Sequence, residues 1–195
     1  MGTRLEHDEL WPGKLPNSFL NRASGTARYL ATQNLRGLKT ADCGEDNPMK
    51  NILREKLGIS IETINWDFNY KCPLTGRYDA ILCFEVLEHL FNPLLFLESL
   101  KGLLNEGGVI YLSTPYHRPQ LLKTPRHYHE IPSDRILWLF EAAGLEAEEM
   151  VKIGSGGRWY NHLGGIRPVM RYFQKTRLYK LRPCQVTTEL SPGKS

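Results

Sequence analysis

Two histidines lie close together in the short polar segment His127-Tyr128-His129-Glu130. A neutral imidazole, whose ordinary pKa is about 6.5, can accept a proton from a hydroxyl group near neutral pH. We take His129 as the first candidate for a general base and His127 as the second, with His117 and Tyr116 as nearby alternatives. This segment therefore indicates proton transfer from a substrate hydroxyl.

A second group of titratable residues consists of Glu85, Glu88 and His89. This spacing would place two carboxylates and an imidazole on one side of a helical turn. Such ligands suit Mg²⁺, Mn²⁺ or Zn²⁺, so a divalent metal site is one interpretation. The interpretation we favour is that these residues orient a loop and shape the mouth of a substrate site without metal. Full activity in a chelator would exclude the metal.

A third feature is Cys43-Gly44, which stands between a predicted strand and a predicted helix start. Glycine lets a ligand approach the backbone at such a junction, although a plain turn is the alternative interpretation. No G-x-G-x-x-G motif follows this strand, which argues against a dehydrogenase.

Strand and helix patterns alternate along the chain and would position these residues. Proline follows a capping asparagine at Asn47-Pro48 and at Asn92-Pro93, which predicts two helix starts. A third helix is predicted from Ser133 to Ala143, and glycines at 58, 107–108 and 144 are expected to end the three helices. Strands are predicted at 38–43, 59–64, 78–84, 109–112 and 145–153. This alternation predicts an α/β fold with an open, mostly parallel sheet and a ligand at the carboxyl ends of its strands.

Three segments follow one another in a characteristic order: the run from Tyr78 to Leu90, the Asn92-Pro93 helix start and the segment Asn105 to Pro115. Together with His129-Glu130 and Ala142-Ala143-Gly144-Leu145, they resemble the class I S-adenosylmethionine-dependent methyltransferases. The ubiquinone-biosynthesis O-methyltransferases and the methyltransferase type 11 family are among the nearest relatives. The resemblance covers about residues 38–153. It implies a Rossmann-like open twisted sheet with helices on both faces.

The resemblance also implies roles for individual residues. The Cys43-Gly44 loop would pass under the methionine part of the cofactor, and Asp67 would receive the ribose hydroxyls. Phe68 would cover the adenine. Other expected cofactor contacts are Asp42 and the backbone at Phe84 and Glu85, and the expected acceptor contacts are Glu88, His89 and Tyr116.

The sequence departs from the family pattern in two places. The first loop keeps Gly44 of three spaced glycines, with Asp42 and Asp46 near the other positions. In addition, only residues 66–77 separate the second and third predicted strands, too few for the usual helix, strand and loops. We therefore expect a sheet trimmed at one edge.

Charge is distributed unevenly along the chain. Residues 151–195 carry nine Lys and Arg against one acid, a net charge of +8, whereas residues 1–150 carry −4. The basic and aromatic stretch from Arg158 to Arg182 could bind nucleic acid or an anionic membrane. We favour a cap over the sheet that forms part of the substrate pocket. An anionic partner for this segment is the alternative.

These patterns predict three segments: a helical lid at 1–37 around Ser18 to Asn34, a core at 38–153, and a basic cap at 154–195 with an edge strand near Leu178 to Leu181. The composition, 41% hydrophobic and 24% charged, excludes a disordered chain, and no apolar run is long enough to span a membrane. A cytoplasmic protein with reduced thiols is expected, since the four cysteines form no C-x-x-C motif.

Our interpretation of the sequence is that the protein is a methyltransferase that moves a methyl group from S-adenosylmethionine to O or N of a small-molecule or lipid-like acceptor. One alternative is a non-catalytic, methyltransferase-like binding module, which the reduced glycine loop favours. The other is an RNA-directed methyltransferase that uses the basic segment, for which RNA binding should weaken steeply with salt.

Overall fold

The computed structural model describes residues 15–116, 127–129, 131–154 and 175–184. The α-helices are α1 Asn17–Ala31, α2 Pro48–Leu57, α3 Pro93–Gly102 and α4 Ser133–Ala142, with a short 3₁₀ helix at Leu87–His89. The strands are β1 Thr40–Cys43, β2 Ile61–Ile64, β3 Tyr78–Phe84, β4 Leu104–Pro115, β5 Leu145–Ile153 and β6 Thr176–Pro183. In the described part of the chain, no helix combines the length and apolar character needed to cross a bilayer.

The six strands form one sheet in the order β2-β1-β3-β4-β6-β5. The pairs β1–β2, β1–β3 and β3–β4 are parallel, and β6 runs antiparallel to both β4 and β5. Five strands therefore point the same way, which confirms the predicted open, mostly parallel sheet. Strand β2 lies at the sheet edge, and residues 65–77 form neither helix nor strand, as the short connection predicts.

The structure corrects the prediction for the last strand. We expected an edge strand near Leu178 to Leu181, but β6 lies between β4 and β5. Leu178, Tyr179 and Leu181 are each at most 1% exposed, as expected for a strand covered on both faces. The amino acids of one strand do not specify which strands pair with it. The local sequence pattern therefore predicted that a strand forms here but not its position in the sheet.

The two asparagine caps form as predicted. The Asn47 side chain accepts a hydrogen bond from the Lys50 backbone N–H, and that of Asn92 accepts one from Leu95. Each bond satisfies a donor that the first helical turn leaves free, and the following proline has no N–H to satisfy.

The prediction that the helix after Asn92-Pro93 ends at Gly107-Gly108 was wrong. Helix α3 ends at Gly102, and both glycines lie inside β4, where the pairing register with β3 shifts. Gly107 has a φ of 73°, and a Cβ on Gly108 would lie 2.9 Å from the Asn105 carbonyl oxygen. The glycines therefore permit an irregular entry into the strand rather than a helix end.

Buried apolar residues form one cluster on each face of the sheet. Helices α3 and α4 pack on the face that carries Ile81 and Cys83, whereas α1 and α2 pack on the face that carries Ala80 and Leu82. This arrangement confirms the prediction of helices on both faces. The division into lid, core and cap stays a prediction, although α1 belongs to the packed core and β6 to the same sheet as β4.

Candidate functional site

A glycine and three polar residues lie where the parallel strands end. Gly44 follows β1, Asp67 lies shortly after β2, Glu85 follows β3 and Tyr116 follows β4. Because these strands are parallel, their carboxyl ends share one edge of the sheet. Two backbone bonds fix the ends: Gly44 N–H donates to the Ile64 carbonyl at 2.9 Å, and Glu85 N–H donates to that of Ser113 at 3.1 Å.

Gly44 provides an open approach to the backbone. Its φ of 102° lies in the left-handed region that glycine adopts without strain. A Cβ built at this position would have no neighbouring atom within 4 Å. The residue can therefore present bare backbone to a ligand, which fits the cofactor approach that the resemblance implies.

A buried lysine lies beneath this loop. Lys50 is 1% exposed, and its Nζ lies 3.4 Å from Asp42 Oδ2, 3.2 Å from Asp46 Oδ1 and 2.9 Å from Thr63 Oγ1. Burial raises the pKa of Asp42 to about 7 against the opposing effect of the Lys50 charge. A hydrogen bond and the charge of Lys50 lower the pKa of Asp46. The network therefore ties the two acids of the loop to α2.

This network changes the role that we assign to Asp42. Its carboxylate is buried and paired with Lys50 rather than exposed toward a ligand, so we regard Asp42 as a positioning residue. The sequence interpretation missed Lys50. A signal existed, because Lys50 shares the buried face of α2 with Leu53 and Leu57.

Cys43 contributes backbone rather than side chain to the loop. Its thiol is buried in the core next to Cys83, and desolvation raises the pKa of that thiol well above its ordinary value. A neutral, enclosed thiol does not act as a nucleophile.

Asp67 and Phe68 lie in the loop after β2. Asp67 is exposed, and its Oδ1 accepts hydrogen bonds from Asn69 N at 3.1 Å and Asn69 Nδ2 at 3.3 Å. Phe68 packs against Trp66 and Phe96, with ring centroids 4.5 Å and 4.9 Å apart. These contacts hold the loop in place, and the ribose and adenine roles stay predictions.

Glu85 is held in a rare backbone conformation. Its φ of 56° is in the left-handed region, which is uncommon for a residue with a Cβ and is typical of functional turns. Its Oε2 lies 3.0 Å from Arg22 Nη2, and its Oε1 accepts a hydrogen bond from Thr176 Oγ1 at 3.3 Å. No local pattern in the sequence signals either partner, since both are distant along the chain. Phe84, just before it, is half-buried against the α1–α2 face.

The structure brings Glu88 and His89 together with His127. One ligand atom from each of these residues lies within 4.8 Å of the others, and the two imidazole centroids are 4.8 Å apart. The Glu88 carbonyl accepts hydrogen bonds from the N–H groups of Tyr128 at 2.8 Å and His129 at 3.2 Å. Both candidate bases are thereby placed beside the 3₁₀ helix.

This geometry changes the composition of the predicted metal-ligand group. Glu85 pairs with Arg22 and does not belong to the cluster, which contains His127 in its place. Two imidazoles and a carboxylate are donors that divalent transition metals accept. The interpretation that the cluster shapes the acceptor mouth without metal stays a prediction.

Tyr116 lies at the end of β4 beside an arginine from β6. The Arg177 guanidinium carbon is 4.1 Å from the Tyr116 ring centroid, and Tyr116 N–H donates to the Lys175 carbonyl at 3.0 Å. The sequence interpretation placed Arg177 in the basic stretch and not in the site. His117, Glu130, the residues 1–14 of the predicted lid and most of the basic stretch, residues 155–174, lie outside the described residues.

The open sheet with helices on both faces is the fold of the class I S-adenosylmethionine-dependent methyltransferases. Residues 26–150 match a family model described as a methyltransferase domain, and the chain belongs to that family.

Comparisons with individual proteins agree with this assignment. The ubiquinone biosynthesis O-methyltransferase of Dinoroseobacter shibae is 30% identical over 123 residues, which are 54% of this chain and 50% of the relative. The chain thus spans about half the length of that curated relative.

Two solved structures share the fold. A chain from the Haloferax volcanii complex of the Trm112 methyltransferase activator with a methyltransferase superposes with a TM-score of 0.62 at 15% identity, covering 86% of this chain and 92% of that chain. The Burkholderia thailandensis 1,6-didemethyltoxoflavin-N1-methyltransferase, solved with S-adenosylhomocysteine, gives 0.57 at 13% identity, covering 84% and 78%.

Proposed function

We propose that the protein transfers a methyl group from S-adenosylmethionine to an oxygen or nitrogen of a small-molecule or lipid-like acceptor. The observation that carries this proposal is the open, left-handed Gly44 at an edge of the sheet that also holds Glu85 and the histidine cluster. Membership of the methyltransferase domain family supports it.

The donor side of the proposed site is formed by the first three strand ends. Gly44 would leave room for the methionine part of the cofactor, and Asp67 would accept hydrogen bonds from its ribose hydroxyls. The backbone at Phe84 and Glu85 would face the ammonium group, and Phe68 would border the adenine. Bound S-adenosylmethionine supplies an electrophilic methyl group.

The acceptor side is formed by the histidine cluster and the end of β4. His129, held by its N–H bond to the Glu88 carbonyl, would remove the acceptor proton, with His127 as the alternative base. Glu88, His89 and Tyr116 would line the mouth of the site. Holding the acceptor in line with the methyl group would supply most of the rate. The O-methyltransferase relative favours a hydroxyl acceptor.

A non-catalytic binding module is the second candidate, because the loop after β1 carries Asp46 and the buried Lys50 network where spaced glycines are usual. Donor binding separates the two. We would titrate the protein with S-adenosylmethionine and S-adenosylhomocysteine by calorimetry and compare Gly44→Asp. Micromolar binding that is lost in the variant is expected. No binding to the folded wild type would contradict the proposal.

The chain offers a matched control for this experiment. Gly37 also has a left-handed φ, 79°, and open space around a built Cβ, but it lies before β1, away from the strand ends. Gly37→Asp introduces the same residue at comparable backbone strain. Donor affinity should survive in Gly37→Asp, and an equal loss in both variants would indicate a general effect on folding.

A further inference from the structure

Arg177, near the start of β6, is a buried cation without an acidic partner in the part of the chain that the structure describes. It is 7% exposed, and its Nη1 is buried without a hydrogen-bond acceptor. Within the described residues, no Asp or Glu forms an ion pair with it. Glu85, an acid at the same edge of the sheet, is engaged by Arg22 and by Thr176.

Two buried hydroxyl groups, Thr114 Oγ1 and Tyr179 Oη, lie on the same face of the β4–β6 pair as Arg177. Burial raises the pKa of Tyr179, whereas the charge of Arg177 and a hydrogen bond with its side chain lower it, so the guanidinium contacts the Tyr179 hydroxyl. Thr114 is the residue opposite Arg177 across the β4–β6 ladder, and Tyr179 is two positions further along β6, on the same face. Tyr116 covers the guanidinium from one side at 4.1 Å. A guanidinium and two hydroxyl groups therefore lie on one face of the β4–β6 pair.

Arg177 and the two hydroxyl groups adjoin the proposed acceptor side. Because β6 is antiparallel to β4, its first residues lie at the edge where β4 ends. Thr176, next to Arg177, donates a hydrogen bond to Glu85, which directly follows β3. Tyr116, which stacks on Arg177, is itself one of the residues assigned to the acceptor mouth.

A buried charge is costly unless an opposite charge and hydrogen bonds compensate it. The Tyr116 ring lies against the guanidinium, and the buried Nη1 of Arg177 still lacks an acceptor in the described structure. The planar fork of guanidinium donors matches a carboxylate or a phosphate. A ligand with such a group would therefore supply the negative charge and the hydrogen-bond acceptors that Arg177 lacks.

We propose that Arg177 binds an anionic group of the methyl acceptor, a carboxylate or a phosphate, with the hydroxyls of Thr114 and Tyr179 as further donors. The inference rests on the proposed function, since it assigns this site to the acceptor. It narrows the acceptor from any small-molecule or lipid-like compound with a methylated O or N to one that also carries a carboxylate or a phosphate.

The test is calorimetric binding of benzoate, phenyl phosphate and neutral benzamide, each with and without saturating S-adenosylhomocysteine. We expect at least one anion to bind about tenfold or more tightly than benzamide, as charge-assisted hydrogen bonds allow. Benzoate and phenyl phosphate distinguish a carboxylate from a phosphate site. Equal affinity of the wild type for all three compounds would overturn the inference. This measurement uses the wild type alone, so it does not depend on whether any variant folds.

Arg177→Met should abolish the preference for anions. The matched control is Arg182→Met, which removes an arginine of the same strand that is paired with Glu148 at 2.8 Å; it should keep the preference. If Arg177→Met does not fold, Arg177→Lys replaces it, and its anion affinity should fall several-fold because the fork is lost. An anion preference that persists in a folded Arg177 variant would overturn the inference. Absence of S-adenosylhomocysteine binding would instead count against the proposed function.

Discussion

At the residue scale, the buried Lys50 ammonium organises the loop after β1. It contacts both Asp42 and Asp46, the acids that occupy the region where spaced glycines are usual in the family. Sequence reasoning located Gly44, Asp67 and the histidines, because strand ends and motif order are visible along the chain. It missed Arg22 and Arg177, because their contacts with Glu85 and Tyr116 join distant parts of the chain. It also missed Lys50, although the buried face of α2 carried a signal for it.

Asp42 should make stability depend on pH. Its pKa is about 7 in the folded protein, against an ordinary value of 3.8, so the folded state holds a proton that the unfolded state releases. This contribution stabilises the protein below about pH 4 and is lost as pH rises toward 7. Relative to Asp42→Asn, the wild type should lose free energy of unfolding across this window. Urea unfolding at several pH values measures it, and parallel profiles would refute the prediction.

His129→Ala should slow methyl transfer without weakening donor binding. Loss of a general base typically costs about 10²–10⁴-fold in rate. Turnover of an acceptor found by screening with labelled S-adenosylmethionine gives the rate, and calorimetry with S-adenosylhomocysteine gives the affinity. Tyr128→Phe, which changes the neighbouring exposed side chain, is the control. Unchanged turnover in His129→Ala would remove this residue from the mechanism.

The Glu88, His89 and His127 cluster should not require a metal for activity. Its backbone bonds to Tyr128 and His129 give it a role in holding the candidate bases. Turnover should therefore persist after exhaustive treatment with a chelator. Loss of activity that returns with Mg²⁺, Mn²⁺ or Zn²⁺ would contradict this prediction.

At the scale of elements, most helix and strand boundaries could be predicted because capping residues and apolar runs mark them in the sequence. Strand β3 spans Tyr78–Phe84 and β5 spans Leu145–Ile153, both as predicted. Helices α2 and α3 begin after capping asparagines. The error at Gly107-Gly108 arose because glycine serves both helix ends and irregular strands, and only the pairing of β4 with β3 decides between them.

Removal of the Asn92 cap should destabilise the protein. Asn92→Ala leaves the Leu95 N–H without its acceptor at 3.2 Å, and such caps contribute about 1 kcal/mol. Urea unfolding measures the loss. Asn65→Ala, which truncates an exposed asparagine in the loop after β2, should change stability much less. Equal effects would show that the cap contributes nothing specific.

At the scale of the whole molecule, β6 joins two parts of the sheet. It pairs with β4 on one side and with β5 on the other, and β5 has no other strand partner in the described sheet. The sequence predicted the alternation that builds the parallel half. It could not predict the insertion of β6, since that depends on which strand edges are free after the other strands have paired.

Truncation should show how far the fold depends on β6. A chain that ends at Gly154 lacks β6 and exposes the β4 ladder and the buried surface under Leu178 and Leu181. We expect it to lose cooperative thermal unfolding and to bind a hydrophobic dye. A chain that ends at Cys184 keeps β6 and serves as the control. Cooperative unfolding of the shorter chain would contradict this prediction.

The position of β6 also has a kinetic consequence during synthesis. The parallel half, from β1 to β4, can pair as soon as it leaves the ribosome, whereas β5 must wait until β6, more than twenty residues later, has been made. During that interval, β5 and the outer edge of β4 present unpaired backbone groups that other chains could bind. Slow translation of residues 155–183 would lengthen this exposure, so synonymous codon changes there should affect the yield of native protein although they change no amino acid.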